Sequence, residues 1–338
     1  MTQTKKRPSP MAELYTRLSD YGFNPKYVKE MILPEWWDDK IADNPAGYAE
    51  GVGLVVRHLG LDIHSLEDAT IDLCYNHVGP RRFKKSQNVS EHELPLAECV
   101  ALRAAHMACT AAPIAVEALA SSAAQIRTIL LQSDAACVNF ISLLDYCWRC
   151  GIPVIHVSRF PSSAKKMDGL AVRVSGRPAI ILAKNSKFCA WLLFLLAHEL
   201  GHIVCGHLKD EEPRVDEVVE LTDEDKEEQE ANAFAVELLT GDAESEFGSS
   251  NNLTAAQLLR AARDYGKENQ IDPGVIVLNY ARTKGHYGAA MIALKSIEPN
   301  AEAPSTVRTK MCDQLDWEKL PEESEAFLMR ITGANAQA

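Results

Sequence analysis

The most constraining feature of the sequence is an apolar segment that ends in two histidines and a glutamate. Residues 188–208 read FCAWLLFLLAHELGHIVCGHL, so ten nearly unbroken apolar residues precede His198, Glu199 and His202. On an α-helix, side chains four positions apart project from the same face, which lets both imidazoles bind one ion. The glutamate beside them has the position of a base that activates a zinc-bound water. The segment therefore predicts the metal-binding helix of a zinc peptidase, with one Zn²⁺ per chain.

The apolar run predicts a buried helix rather than a membrane span, because it is shorter than the roughly twenty residues that cross a bilayer. Polar groups inside a buried helix are costly unless they are paired or bind a metal, so histidines that merely fill the core are disfavoured. The N-terminus MTQTKKRPSP is polar, no apolar signal segment follows it, and the nine cysteines show no disulfide pattern. We therefore expect a soluble protein in the reducing cytoplasm.

A third metal ligand is expected downstream, and helical phase distinguishes the candidates. His207 follows the second histidine by five positions, which places it off the face that the two histidines share. If residues 227–239 form a helix, Glu228 falls on the buried stripe of alanines and leucines, whereas Glu230 points away from it. We predict that Glu228 is the third ligand. His207 is predicted to lie at the end of the helix or to contact a ligand side chain without binding the metal itself. Asn232, one turn after Glu228, is predicted to hydrogen-bond a ligand histidine.

Five short motifs resemble the ImmA/IrrE family of metallopeptidases, in the family's order and over roughly a hundred residues. They are GIPV at 151–154, MDGLAV at 167–172, GRPAIILAK at 176–184, LAHELGH at 196–202 and ExxANxFAxxLL at 228–239. The resemblance implies zinc ligands at His198, His202 and Glu228, and a catalytic glutamate at Glu199. Thr240-Gly241 follows the last motif where relatives often have Met-Pro.

The resemblance also implies a regulatory protein substrate, typically a DNA-binding repressor that is cut once, and roles in transcription regulation and stress response. The residue that stabilises the oxyanion is left open among four candidates: His207, Tyr280, His286 and Tyr287.

The predicted fold class is α+β and mostly helical: a zincin-like core with a small three-stranded sheet, flanked by helical regions. We predict an N-terminal helical domain over residues 1–88, the metallopeptidase domain over 89–245 and a C-terminal helical region over 246–338. Strand signals lie at 153–157, 169–174 and 179–183. Either of the last two is a candidate edge strand for an extended peptide.

Three further local predictions concern helix ends and links. Pro34 is predicted to begin a helix, because proline is favoured at the first helical position. Residues 115–131 are predicted to form one helix, and residues 300–306 a flexible link.

The N-terminal region supports a second hypothesis from a different class of protein. The pattern GVGLVVRHLGLDIHSLED at 51–68 is compatible with a helix-turn-helix, which αα-hairpins share. A transcriptional regulator or antitoxin-like protein, whose zincin domain senses or scaffolds, is therefore the alternative. Residues 1–100 carry twelve Lys and Arg against fifteen Asp and Glu, and this balance disfavours direct nucleic-acid binding.

Most of the negative charge is concentrated between the two predicted metal-binding helices. Residues 210–230 contain twelve acidic and two basic residues, a net charge of −10 within a chain total of −12. Such a segment either steers a basic substrate toward the cleft or is simply a solvated connector.

Overall fold

The computed structural model describes residues 9–68, 70, 73, 94–132, 136–162, 164, 167–208, 221–248 and 252–334. The acidic residues from 210 to 220 lie outside the described residues, so the steering hypothesis stays a prediction.

The N-terminal part is a set of short helices whose ends are capped by local side chains. It contains α1 (Pro10–Asp20), α2 (Pro25–Tyr27), a π-helical turn (Val28–Ile32), a 3₁₀ helix (Asp39–Asp43), α3 (Pro45–Leu59) and α4 (Ile63–Glu67). At the start of α3, the Asn44 side chain accepts a hydrogen bond from Gly47 N at 3.0 Å, and Pro45 occupies the first turn. Gly60 ends the helix in the left-handed region, with φ of 67°.

The helix predicted to begin at Pro34 is absent, so that prediction was wrong. Pro34 lies in a turn closed by a 3.0 Å hydrogen bond from Trp37 N to Pro34 O. The 3₁₀ helix begins only at Asp39, after the Asp38 carboxylate has accepted the Lys40 N–H at 3.0 Å. Side-chain capping by Asp38 therefore starts a helix later than the preference for proline at the first helical position suggests.

The two-helix pattern at 51–68 is present, but α4 contains only five residues. A helix of that length extends about 7.5 Å, which is less than two turns and leaves few side chains to contact base edges. This length does not favour a recognition helix at α4.

Three helices lead to the sheet: α5 (Leu94–Ala111), α6 (Ala123–Leu131) and α7 (Phe140–Arg149). The prediction of one helix over 115–131 was wrong in its first half, because residues 112–122 are not helical. The backbone N–H groups of Val116 and Glu117 bind Arg149 O instead, at 2.9 and 3.1 Å. The side chain of Ser122 then accepts Gln125 N at 3.3 Å and starts α6.

Among the described residues, the sheet has three strands in the order β1-β3-β2, and it is mixed. The strands are β1 (Val154–His156), β2 (Gly169–Val174) and β3 (Arg177–Leu182). β1 runs parallel to β3, and β2 runs antiparallel to β3. Of the two strands predicted as peptide-binding edges, β2 is at the edge, whereas β3 is central and both its sides are paired.

Seven helices make up the rest of the described chain: α8 (Cys189–Val204), α9 (Leu221–Thr240), α10 (Ala255–Asn269), α11 (Pro273–Lys284), α12 (Tyr287–Ile297), α13 (Ala303–Gln314) and α14 (Glu322–Thr332). A 3₁₀ turn at Trp317–Lys319 joins the last two. The mostly helical α+β class is confirmed. No described helix is long and apolar enough to cross a membrane.

The flexible link predicted at 300–306 was wrong, because this segment packs into the core. Ala301, Ala303 and Val307 are buried, and Ala303 N donates to Lys187 O at 2.9 Å. Small apolar residues and Pro304 are compatible with the start of a helix such as α13 as well as with a linker. Composition alone therefore did not distinguish the two.

The C-terminal helix returns to the N-terminal part of the chain. The ring of Phe327 on α14 stacks on the buried His58 ring, with centroids 4.8 Å apart and planes 1° from parallel. Arg330 Nε donates to Met31 O at 3.1 Å, and Ser158 N donates to Ile331 O at 3.0 Å. The three-part domain division stays a prediction.

The N-terminal end of α8 is capped by a residue far away in sequence. Phe188, in the cap position, makes no side-chain hydrogen bond there. The Glu298 carboxylate, at the end of α12, accepts Cys189 N at 2.6 Å and Ala190 N at 3.1 Å. This carboxylate satisfies backbone donors that the helix cannot satisfy internally, and its charge favours the positive end of the helix dipole.

Replacement of Glu298 by alanine should therefore lower the free energy of unfolding by about 1–2 kcal/mol, because two backbone N–H groups lose their acceptor. Equilibrium urea unfolding measures the change. Glu302→Ala, at an exposed side chain four residues later, is the matched control. Equal stability of the two variants would contradict a capping role for Glu298.

Candidate metal centre

Two buried histidines on α8 face each other across one helical turn. His198 is 0% exposed and His202 is 3% exposed, and their Nε2 atoms lie 3.1 Å apart. The four-residue spacing brings the rings together, with centroids 4.8 Å apart and an interplanar angle of 81°. Both rings therefore direct the same nitrogen to one point.

Glu228 on α9 reaches the same point from the neighbouring helix. Its Oε2 lies 3.5 Å from His198 Nε2, and its Oε1 lies 3.3 Å from His202 Nε2. Burial raises the pKa of the Glu228 carboxyl, but hydrogen bonds from His198 and His202 outweigh burial and lower this pKa to about 2. The side chain is therefore an anion near neutral pH and is suited to bind a cation.

Small residues allow α8 and α9 to approach closely at this level. A Cβ at Gly201 would lie 3.1 Å from Ala231 O and 3.1 Å from Phe234 Cδ1, which is tighter than ordinary packing. Ala231 and Ala235 are both fully buried on the facing side of α9. The glycine and the two alanines thus set the helix separation that brings Glu228 within reach of the histidines.

The geometry of these three side chains fits a tetrahedrally bound ion. The nitrogen–nitrogen separation is 3.1 Å, and the two nitrogen–oxygen separations are 3.3 and 3.5 Å. Zinc bonds to nitrogen and oxygen are about 2.0–2.1 Å long, so the ligand atoms of a tetrahedral site lie about 3.3–3.4 Å apart. Within the described part of the chain, His198, His202 and Glu228 form a group of three possible metal ligands whose ligand atoms all lie within 4.8 Å of one another.

His207 lies behind the cluster and contacts His202. Gly206, with φ of 76°, turns the chain back, and His207 N donates to His202 O at 3.0 Å. His207 Nδ1 is 3.0 Å from His202 Nδ1, and His207 Nε2 is 3.0 Å from Glu230 Oε2. The hydrogen bond from His207 lowers the pKa of Glu230. The three side chains form a line that runs from the cluster to the surface.

Glu199 is buried beside the cluster, with 2% of its surface exposed. Its carboxylate packs against Gly169, the first residue of β2, so closely that a Cβ at Gly169 would overlap Glu199 Oε1. The lack of a side chain at Gly169 therefore makes room for the glutamate. The MDGLAV motif contained this glycine, but the sequence did not indicate which residue it faces.

The other predicted site residues lie in different surroundings. Asn232 is half-buried on α9, but the Nδ1 atom of His202 is contacted by His207. The buried Tyr280 hydroxyl accepts Leu253 N at 2.8 Å, so it supports the C-terminal helices rather than the cluster. His286 precedes α12, and Tyr287 is 48% exposed. A role in oxyanion stabilisation stays a prediction for all the candidates.

The fold and the cluster together have the features of a zincin-like core: a buried HExxH helix, a glutamate from the next helix and a small mixed sheet. Residues 152–246 match the family described as IrrE N-terminal-like domain, Peptidase M78. The match includes all three strands, α8 and α9, and it confirms the resemblance to ImmA/IrrE metallopeptidases. It covers less than a third of the chain. No curated protein and no solved structure matched the sequence.

The contact between Gly169 and Glu199 gives a test that does not depend on any activity. Gly169→Ala should lower the free energy of unfolding by about 1–3 kcal/mol, because the new methyl group overlaps a buried carboxylate. Chemical denaturation measures this change. Gly288→Ala is the matched control, since a Cβ there would meet nothing within 4 Å. If both variants unfold at the same denaturant concentration, the packing described at Gly169 is incorrect.

Proposed function

We propose that the protein is a zinc-dependent endopeptidase of the ImmA/IrrE type. The observation that carries this proposal is the convergence of His198, His202 and Glu228 from two helices, with Glu199 buried beside them. His and Glu side chains at these separations are a donor set that zinc accepts in proteins. The match of residues 152–246 to a peptidase domain supports a protein substrate.

The proposed zinc ligands are His198, His202 and Glu228. When bound, the ion would act as a Lewis acid that polarises the scissile carbonyl of the peptide. Glu199 is the proposed general base: its carboxylate takes a proton from the attacking water and then gives it to the leaving amine. The close approach of Gly169 limits the space open to the Glu199 carboxylate, which favours a fixed proton-transfer geometry.

His207 and Glu230 are proposed to orient the ligand His202. Because His202 Nε2 faces His198 and Glu228, its Nδ1–H is the group that can donate to His207 Nδ1. His207 Nε2–H then donates to Glu230. Hydrogen bonds of this kind fix the tautomer and ring orientation of a metal-binding histidine.

The proposed substrate is an extended segment of a regulatory protein in the cytoplasm. β2 is at the sheet edge, and its first residue, Gly169, contacts Glu199. An extended peptide that pairs with this edge would have its backbone next to the proposed base. The ImmA/IrrE resemblance supports a DNA-binding repressor as the natural substrate, and the net charge of −10 in residues 210–230 is complementary to a basic one.

The zinc content of purified variants tests the ligand assignment without a substrate. Wild type should hold one zinc per chain, and His198→Ala or Glu228→Ala should lose it, because three ligands are reduced to two. Glu199→Gln should retain zinc and lose about a hundredfold or more of the peptidase activity, because only the base is removed. Metal analysis and cleavage of a peptide library measure the two properties.

Two results would contradict this assignment. Full zinc content in Glu228→Ala would exclude Glu228 as a ligand. Unchanged cleavage by Glu199→Gln would exclude Glu199 as the base.

The orienting role of His207 predicts a smaller effect on metal affinity than the loss of a ligand. His207→Ala should weaken zinc binding by about 10–100-fold, because the His202 ring loses its partner at Nδ1. A competition titration with a fluorescent zinc chelator gives the dissociation constant. His286→Ala, which removes a half-buried histidine preceding α12, is the matched control and should bind zinc as wild type does. Wild-type affinity in His207→Ala would remove the proposed orienting role.

A further inference from the structure

A buried histidine near the end of α3 has one ring nitrogen without a partner. His58 is 0% exposed, and its Nδ1 lies 2.7 Å from Ile32 O. Because a carbonyl oxygen only accepts hydrogen bonds, Nδ1 carries a proton and donates it there. Burial lowers the pKa of His58 to about 4, although the bond to Ile32 opposes this, so the ring is neutral near pH 7. The other nitrogen, Nε2, therefore presents a lone pair, and no described group donates to it.

Two buried guanidinium groups of the same region also have a nitrogen without a partner. They are Nε of Arg103, on α5, and Nη2 of Arg330, on α14. Burial lowers the pKa of both side chains, yet an arginine stays charged near neutral pH. A buried polar or charged group without a hydrogen bond is costly, and an unpaired one in a native fold is a sign of a bound water or ion.

Arg330 approaches His58 from the C-terminal helix. Its Nε donates to Met31 O at 3.1 Å, and Met31 is the neighbour of Ile32, which binds the His58 ring. Phe327, one turn earlier on α14, stacks on that ring with centroids 4.8 Å apart. The backbone at residues 31 and 32 therefore holds both side chains on the same side of the N-terminal helices.

Arg103 reaches the same region from α5. A Cβ at Gly60, which ends α3 two residues after His58, would lie 2.9 Å from Arg103 Cδ. Beyond the effect of burial, the charges of Arg330, Arg103 and Arg57 each lower the pKa of His58. The field at the free nitrogen of His58 is therefore positive, which favours an anion beside it.

The acidic groups near Arg330 restrict the size of such an anion. Burial lowers the pKa of Arg330, and the charge of Glu35 opposes this only in part. Arg330 also lines a groove of about 760 Å³, which carries one further arginine and four glutamates: Arg159, Glu35, Glu322, Glu323 and Glu325. This excess of negative charge repels a polyanion such as a nucleic acid, whereas a small anion with one or two charges is repelled much less.

The three unpartnered atoms define the chemistry of the ligand. The free N–H groups of Arg103 and Arg330 need oxygen acceptors, whereas His58 Nε2 needs a donor. Hydrogen phosphate offers both, because it has several acceptor oxygens and one P–O–H group, and guanidinium groups bind phosphate well. Sulfate has a similar shape but no proton near neutral pH, so one of its oxygens would face the lone pair of Nε2.

We propose that His58, Arg103 and Arg330 form a binding site for hydrogen phosphate. Two arginine N–H groups donate to its oxygens, and its P–O–H donates to His58 Nε2. The ligand is inorganic phosphate or the phosphate group of a small monoester. The occupied site would link α3, α5 and α14 through one ion, and the inference does not depend on the proposed peptidase function.

Isothermal titration with inorganic phosphate, at constant ionic strength near neutral pH, tests the arginines. Wild type should bind phosphate at this site, and Arg103→Gln or Arg330→Gln should weaken binding by about tenfold or more, because each loses a charged donor. Arg260→Gln is the matched control, since that side chain is 87% exposed on α10. Glu228→Ala, altered in the proposed metal centre, should also bind as wild type does. The proposal is overturned if wild type does not bind phosphate, or if neither arginine variant weakens binding.

A comparison of anions on wild type tests His58 and does not require any variant to fold. Sulfate should bind about tenfold or more weakly than phosphate, because the lone pair of Nε2 stays unpaired unless the ring takes up a proton. Titrations in buffers of different ionisation enthalpy should therefore show uptake of about one proton with sulfate and much less with phosphate. Equal affinities without proton uptake would refute the site as described.

Glycerol 3-phosphate distinguishes the two sources of the phosphate group. A phosphate monoester loses its second proton with a pKa of about 6, so near neutral pH it mostly lacks the P–O–H group. Weaker binding than inorganic phosphate, with proton uptake, would identify free phosphate as the ligand. Tighter binding that is lost in Arg103→Gln and Arg330→Gln would assign the site to a monoester.

Discussion

The structure depends on enclosing three ionisable side chains within an apolar helix and giving each one a partner. His198, Glu199 and His202 are almost completely buried on α8, whose other side chains form much of the core. A buried polar group without a partner costs several kcal/mol, so neighbouring elements must supply partners at short range. Glu228 does this from α9, and the close contact at Gly201 makes the approach feasible. The small residues that set the separation of the two helices thus make it possible for Glu228 to reach the buried histidines.

The parts of this arrangement that were predictable from the sequence are those encoded locally. Helical phase placed Glu228 on the buried face of its helix, and it placed His207 out of line with the histidine pair. The errors arose where distant residues decide the local backbone. Residues 112–122 leave the helical path where the Arg177 guanidinium binds the carbonyl oxygens of Cys109, Ala112 and Pro113 at the end of α5. Arg177 begins β3, more than sixty residues later, so no pattern within the segment could indicate this contact.

The surroundings of the cluster were less predictable than the cluster itself, for the same reason. The Gly169 contact with Glu199 joins β2 to α8, and an apolar cavity of about 170 Å³ is lined by side chains from α8, α9, α11 and α12. Phase on one helix indicates which residues are buried, but it does not identify the residue on the other side of the interface. A glycine in a strand signals a close approach of some kind, and only the fold shows that a carboxylate makes that approach.

Three contacts hold α8 in place, and two of them are made by residues within the region that matches the peptidase family. Glu298 caps its N-terminal end, Gly169 packs against its middle, and the line from His207 to Glu230 supports its last histidine. Glu298 lies outside residues 152–246, and so does α11, which packs against the start of α8: a Cβ at Gly274 would lie 2.6 Å from the Cβ of Ala190. The matching segment therefore contains the proposed ligands, but it lacks the residue that caps α8 and a helix that packs against the start of α8. Since a catalytic site must be held to within a fraction of an ångström, the C-terminal helices are part of the structure on which the proposed chemistry depends.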